Sequence, residues 1–173
     1  TRRQTGKTSI PDFVGGLSTT FEAYGFDLTV QTAFQLGGYV YDSNYVGLMT
    51  PGDAGQNFHK DMFNRWTPTN TDTNIPALGY QMQAQTINNG NYVDFFLTDA
   101  SYFSLRNITL GYTLPKNWLQ KAGIEKLRVY LTGDNIWLQS KRKGLDPRYD
   151  FTGSTNFSYS ALSTYSIGLN LTL

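Results

Sequence analysis

The chain contains no cysteine, which excludes disulfide scaffolds, thiolate-bound metals and thiol nucleophiles together. Charge is also scarce. Asp, Glu, Lys and Arg make up 16% of the residues, against a usual share of about 25%. The 14 basic and 13 acidic side chains leave a formal net charge of +1 with no extended block of like charge. That balance gives no footprint for nucleic acid and no polybasic membrane anchor. His59 is the single histidine, so a zinc site or a Ser-His-Asp triad lacks its other members. No set of side chains suggests an enzyme, and no cofactor motif is present. No apolar run approaches the ~18 residues of a membrane helix. The opening stretch, TRRQTGKTSIPDF, is basic but leads into no apolar segment, unlike a signal peptide.

What the chain does have is aromatic residues, 15% of the total with 12 Tyr and 11 Phe, together with much Thr, Asn and Gly. Extracellular β-proteins and outer-membrane barrels share this mixture. The mean hydropathy of −0.39 excludes neither, because strands that alternate lipid-facing and lumen-facing residues average close to neutral.

Period-two alternation marks the strands. In FVGGLSTTFEAY, Phe13, Leu17 and Phe21 fall on one side and Ser18, Thr20 and Glu22 on the other. A turn at Tyr24-Gly25 leads into FDLTVQTAFQL, where Phe26, Leu28, Val30, Phe34 and Leu36 oppose Asp27, Thr29, Gln31 and Gln35. These two strands read as a hairpin. Residues 38–99 follow with weak periodicity and most of the Asn; so long a connection is normally functional. A short strand, YVDFFL, is expected inside it. In SYFSLRNITLGYTLP, Ile108, Leu110 and Tyr112 share a face, while Phe103 and Leu105 are out of step with it, so a β-bulge is expected near Arg106-Asn107. After Pro115, KNWLQKAG has the makings of two helical turns ended by Gly123. The strand KLRVYLTGDNIW and a polar connection over 139–162 lead to a last strand in STYSIGLNLTL.

The strands are about 10–12 residues long, close to what a tilted transmembrane strand requires. Their connections alternate between short and long, as in outer-membrane barrels with short periplasmic turns and long outer loops. Tyr24, Tyr112 and Trp118 fall near the short-turn ends, and Tyr39, Tyr102, Trp137 and Tyr165 near the long-loop ends, which suggests two aromatic girdles. Five strands are too few to close a membrane barrel, for which eight is the minimum. An open sheet in lipid would leave backbone groups unpaired at both edges. The expected fold class is therefore all-β, an antiparallel transmembrane β-barrel segment belonging to a larger barrel.

Several motifs now combine. The strand Ser-Tyr-x-x-Leu-Arg-Asn-Ile-Thr-Leu-Gly-Tyr-Thr-Leu-Pro, the Leu-Arg-Val-Tyr strand with Asn135, and Gly144-Leu145-Asp146-Pro147 resemble the C-terminal region of SusC/RagA-type TonB-dependent outer-membrane transporters of Bacteroidetes. GKTSIPDFVGGLSTTFEAYGFDLTV and RWTPTNTDTNIP resemble the preceding hairpin and long loop, so the likeness covers roughly Gly6 to Leu173. It implies the last five or so strands of a plugged barrel of about 22 strands, with residues 1–173 in one barrel domain and the N-terminal plug absent. It implies extracellular loops over 38–99 and 139–162, a SusD-like surface lipoprotein as lid, and TonB-ExbB-ExbD acting through the absent N-terminal region. The implied role is nutrient uptake of glycans or peptides across the bacterial outer membrane. C-terminal strands of this kind usually close on an aromatic residue, where this chain has Leu173.

The candidate residues follow from this frame. Asp27, Thr29, Gln31, Arg128, Thr132 and Asp134 are expected to face the lumen, either solvating the wall and contacting the plug or lining the substrate path. Trp66, Tyr80 and Tyr92 are loop aromatics able to stack on sugar rings, to meet the lid or simply to pack the loop. Tyr165, Ile167, Leu169, Leu171 and Leu173 are expected to face lipid along the barrel-closing strand. Asp42, Asp53, Asp61 and Asp72 form no calcium-loop pattern and read as solvated loop charge. The sequons at Asn107 and Asn170 fall inside expected strands. The alternative is a soluble extracellular β-sandwich binding carbohydrate or protein. In that fold Phe26, Leu28, Val30, Phe34 and Leu36 would be buried under a second sheet rather than exposed.

Overall fold

The computed structural model describes residues 4–49, 55–77, 94–148 and 161–173. Strands β1 (Phe13–Ala23) and β2 (Phe26–Leu36) form the expected hairpin. Tyr24 and Gly25 both have positive φ, 52° and 85°, the conformation that matches a two-residue turn to the twist of its strands. Two short strands, β3 (Tyr39–Tyr41) and β4 (Leu97–Asp99), flank helix α1 (Ser43–Met49). Then come β5 (Tyr102–Thr113), the short helix α2 (Lys116–Leu119), β6 (Lys126–Ser140) and β7 (Thr164–Thr172). Past α2, a 3₁₀ turn ends at Gly123 with φ 70°, which is the C-cap expected there.

The chain divides into two units. One is a five-stranded antiparallel sheet of order β1-β2-β5-β6-β7. Its short connections, the Tyr24-Gly25 turn and residues 114–125, lie at one end of the strands, and its long ones at the other. The expected bulge is present: the pairing shifts between Gln31 and Thr32 opposite β5 and between Leu105 and Asn107 opposite β6. On β6, Asn135 sits at the shift with φ 50°. The extra residue realigns β5, so that Phe103 and Leu105 share the face of Ile108 and Leu110.

Cross-strand register gives the sheet two unlike faces. On one, Phe21, Leu28, Leu110, Leu131 and Ile167 form a single row across all five strands. The adjacent row on the opposite face is Thr20, Thr29, Thr109, Thr132 and Ser166. Trp137, Tyr112 and Tyr165 belong to the apolar face. Two expected girdle members do not. Tyr102 pairs with Gln35 and Ser140 on the polar side, a consequence of the bulge, and Tyr39 belongs to β3 outside this sheet.

The other unit includes described residues of Gly38–Asp99 and pairs β3 with β4. Tyr41, Tyr45, Met49, Met62, Ile75 and Phe96 form its buried cluster. Asp42 caps α1, its carboxylate accepting the Tyr45 N–H at 3.0 Å, as helix N-termini require. A stretch with weak periodicity thus has a core of its own. The strand expected in YVDFFL differs in detail: Asp94–Phe96 is a 3₁₀ turn and only Leu97–Asp99 is extended.

Candidate functional site

The polar face of the sheet gathers the six side chains expected to line a lumen, and register alone places them there. Asp27, Thr29 and Gln31 alternate along β2, and Arg128, Thr132 and Asp134 along β6, with β5 between them. Asp27 lies directly opposite Glu22 of β1, a like-charge pairing that is unfavourable unless a cation intervenes. Arg128 supplies the cation. Its guanidinium reaches over β5 to both Asp27 carboxylate oxygens, with Nε to Oδ1 at 2.8 Å and a second bond from Nη2 to Oδ2. Two parallel bonds of this kind fix orientation as well as charge.

The bridge passes over Gly111, where any Cβ would collide with Arg128 and Asp27. A glycine inside a strand often marks such a close approach. The Arg128 guanidinium also lies 4.9 Å from the Tyr130 ring centroid, within cation–π range. Tyr130 in turn covers Gly168 of β7, leaving no space for a side chain. One continuous layer thereby ties β2, β5, β6 and β7 together on this face.

A second cluster centres on Asn107. Its amide donates to Thr132 Oγ1 at 2.9 Å and to Asp134 Oδ1 at 2.8 Å, while its carbonyl accepts the Thr109 hydroxyl at 3.0 Å. Thr109 and Thr132 share a further bond at 2.9 Å, and Thr29 pairs with Thr20 at 3.0 Å. Gln31 is exposed in the row of Asn107 and Asp134. Beside the ion pair, a concavity of about 580 Å³ is lined by Thr20, Glu22, Asp27, Lys126 and Arg128 among others.

Neither Asn107 nor Thr109 is among the residues expected to face the lumen: the partners of Asn107 lie 25 and 27 residues away, and alternation within a strand carries no such information. Gly111 and Tyr130 were also missed, although a mid-strand glycine is itself a signal of close approach.

On the opposite face, Tyr165, Ile167, Leu169 and Leu171 pair with Gly133, Leu131, Val129 and Leu127. Ile167 is 77% exposed. Leu173 lies past the end of β7. In the smaller unit Trp66 is 43% exposed, whereas Tyr80 and Tyr92 lie outside the described residues. Asp42 and Asp61 are not the solvated charges expected. Asp42 is buried at the α1 cap, and Asp61 accepts the Tyr45 hydroxyl at 2.8 Å. His59 is the N-cap of a 3₁₀ turn, its Nδ1 accepting the Asp61 N–H at 3.2 Å. Asp53 lies outside the described residues, and Asp72 is exposed.

No protein-family model matches the chain. Among curated proteins it is 31% identical over 166 residues to TonB-dependent receptor SusC of Bacteroides thetaiotaomicron, covering 92% of this chain and 15% of that protein. It is 29% identical over 172 residues to TonB-dependent receptor P3 of Formosa agariphila, covering 93% of this chain and 16% of that protein. Its length is thus about a sixth of theirs. Among solved structures, the RagAB peptide importer in its open-open state superposes with a TM-score of 0.81 at 27% identity, over 96% of this chain and 18% of that one. The RagAB peptide transporter superposes with a TM-score of 0.79 at 25% identity, over 98% of this chain and 19% of that one. In sequence and in fold together, the chain matches the SusC/RagA type of TonB-dependent receptor.

Proposed function

We propose that this chain is the C-terminal wall segment of a TonB-dependent outer-membrane transporter that imports glycans or peptides. On this reading the apolar face meets lipid and the polar face meets the lumen of a plugged barrel of about 22 strands. The long connections, 38–99 and 139–162, lie outside the cell and meet a SusD-like lipoprotein. TonB-ExbB-ExbD acts through a plug encoded elsewhere in the protein.

The observation that carries the proposal is the exposure of the apolar face. Phe26 is 53% exposed, Leu36 51% and Leu131 55%, while Leu28, Val30 and Phe34 are only half-buried. Burying one such side chain fully is worth about 1.5–3 kcal/mol, so a face of this extent calls for an apolar medium. A soluble sandwich would bury these side chains instead. The opposite face, with its hydroxyls, amides and one bridged ion pair, suits water or a polar cargo.

Fractionation of the full-length protein in its native host tests the membrane assignment. Recovery with outer membranes, released only by detergent, is expected; a species soluble without detergent overturns it. Uptake of labelled oligosaccharide and oligopeptide pools by strains with and without the gene tests import. Equal uptake of both pools by the two strains overturns it.

A further inference from the structure

The concavity beside the ion pair, about 580 Å³, falls within the range of about 300–1,000 Å³ over which small-molecule pockets occur. It lies at the short-connection end of the polar face, with β1, β2 and β6 contributing to its lining. Its charges are sorted by strand. From β1 comes the Glu22 carboxylate, exposed and in no ion pair among the described residues. From β6 comes the Lys126 ammonium, exposed and equally without an ion pair among them. The two line one space and do not meet each other, because β2 and β5 lie between their strands.

Arg128 lines the same space and is not exhausted by Asp27. Its Nε and Nη2 are bonded to that carboxylate, but a guanidinium carries five N–H donors. Those on Nη1 have no partner among the described residues. Asp27 thus orients the guanidinium and leaves donors over for a ligand. On the Glu22 side, the Thr20 and Thr29 hydroxyls, 3.0 Å apart, also line the space and can accept hydrogen bonds. An acceptor end and a donor end therefore face one volume. A neutral solute leaves both charges unanswered and a simple anion answers one, whereas an ammonium and a carboxylate on one small molecule answer both. The two ends stand on strands three spacings apart, about 14 Å, a gap that the long Glu, Lys and Arg side chains shorten; an extended tripeptide spans about 10 Å.

We infer that this concavity binds a small zwitterion, a short peptide with both termini free, its ammonium at Glu22 and its carboxylate between Lys126 and Arg128. This rests on the proposed reading of the polar face as a lumen wall. The selectivity lies in the two termini.

The test uses full-length receptor purified in detergent, with binding of trialanine measured by titration calorimetry. Trialanine is compared with its N-acetyl and C-amide derivatives on wild type, Glu22→Gln and Lys126→Gln. Wild type is expected to bind each capped derivative about tenfold more weakly than trialanine. Glu22→Gln is expected to lose the acetyl penalty and keep the amide penalty. Lys126→Gln is expected to shrink the amide penalty and keep the acetyl penalty. A general disturbance of the sheet cannot produce that crossed pattern. Absence of trialanine binding, as when a segment of the protein itself fills the concavity, overturns the inference. Equal affinities of wild type for the three ligands overturn it too, as does equal weakening of all three on either variant. A receptor that imports its cargo yet lacks the crossed pattern defeats this inference alone, whereas one soluble without detergent defeats the lumen reading beneath it.

Discussion

Arg128 of β6 and Asp27 of β2 are joined across an intervening strand, and they meet only because residue 111 has no side chain. Arg128→Ala and Asp27→Ala are each expected to cost about 1–2 kcal/mol, since the pair is well oriented but keeps partial access to water. The double variant is expected to cost less than the sum, with a coupling of at least about 0.5 kcal/mol. Gly111→Ala, with both charges still present, is expected to mimic the loss of the pair. Apparent unfolding temperatures of the full-length protein in detergent decide it. Strict additivity of the two alanine variants would show that the bridge does not couple the strands.

Asn107 holds Thr132 and Asp134 through two donated bonds. Asn107→Ala removes those bonds and is expected to destabilise by about 1–2 kcal/mol. Asn107→Asp is expected to be worse, because a carboxylate then faces Asp134 where an amide donated. Adding Asp134→Asn to that variant restores a donor and should recover most of the loss. Thermal unfolding of the three proteins would contradict this if the double variant were no better than Asn107→Asp.

Ser166 and Ile167 are neighbours in sequence on opposite faces of β7. Ile167→Arg is expected to cost about 2–4 kcal/mol if its face meets the bilayer midplane, with less protein assembled in the outer membrane. Ser166→Arg is expected to change stability by no more than about 0.5 kcal/mol. The heat-modifiable band of the folded barrel on gels measures both, and equal losses would contradict the assignment of faces.

Tyr45 is buried, and its hydroxyl donates to Asp61. Asp61→Ala removes that bond at a cost of about 1–2 kcal/mol, whereas Asp61→Asn keeps an acceptor. Limited proteolysis is expected to cut faster within Gly38–Asp99 in the alanine variant alone, with the five-stranded sheet undisturbed. Identical digestion of the two variants would mean that the bond contributes little.

The five long strands were legible because each exposes unlike faces over nine or more residues, long enough for a period of two to show. The bulge was legible too, since Phe103 and Leu105 break the stripe begun at Ile108. Its counterpart at Asn135 was not, because a left-handed residue on β6 leaves no mark in an alternating pattern. The Arg128–Asp27 bridge joins positions 101 residues apart, and only inter-strand register brings them together. The smaller unit was opaque for another reason. Its strands are three residues long, too short to carry a period, and its core is assembled from scattered Tyr, Met, Ile and Phe.

The row Thr20, Thr29, Thr109, Thr132 and Ser166 carries no charge, and each hydroxyl both donates and accepts by rotating about one bond. If this face lines a passage, a polar cargo moving along it can exchange partners step by step, each broken bond replaced by its neighbour. The Arg128–Asp27 pair beside the row is already neutralised, and the remaining charges of this face, Glu22, Lys126 and Asp134, flank the row rather than belong to it. Such a row is electrically quiet along its own length: it gives a passing molecule purchase without detaining it.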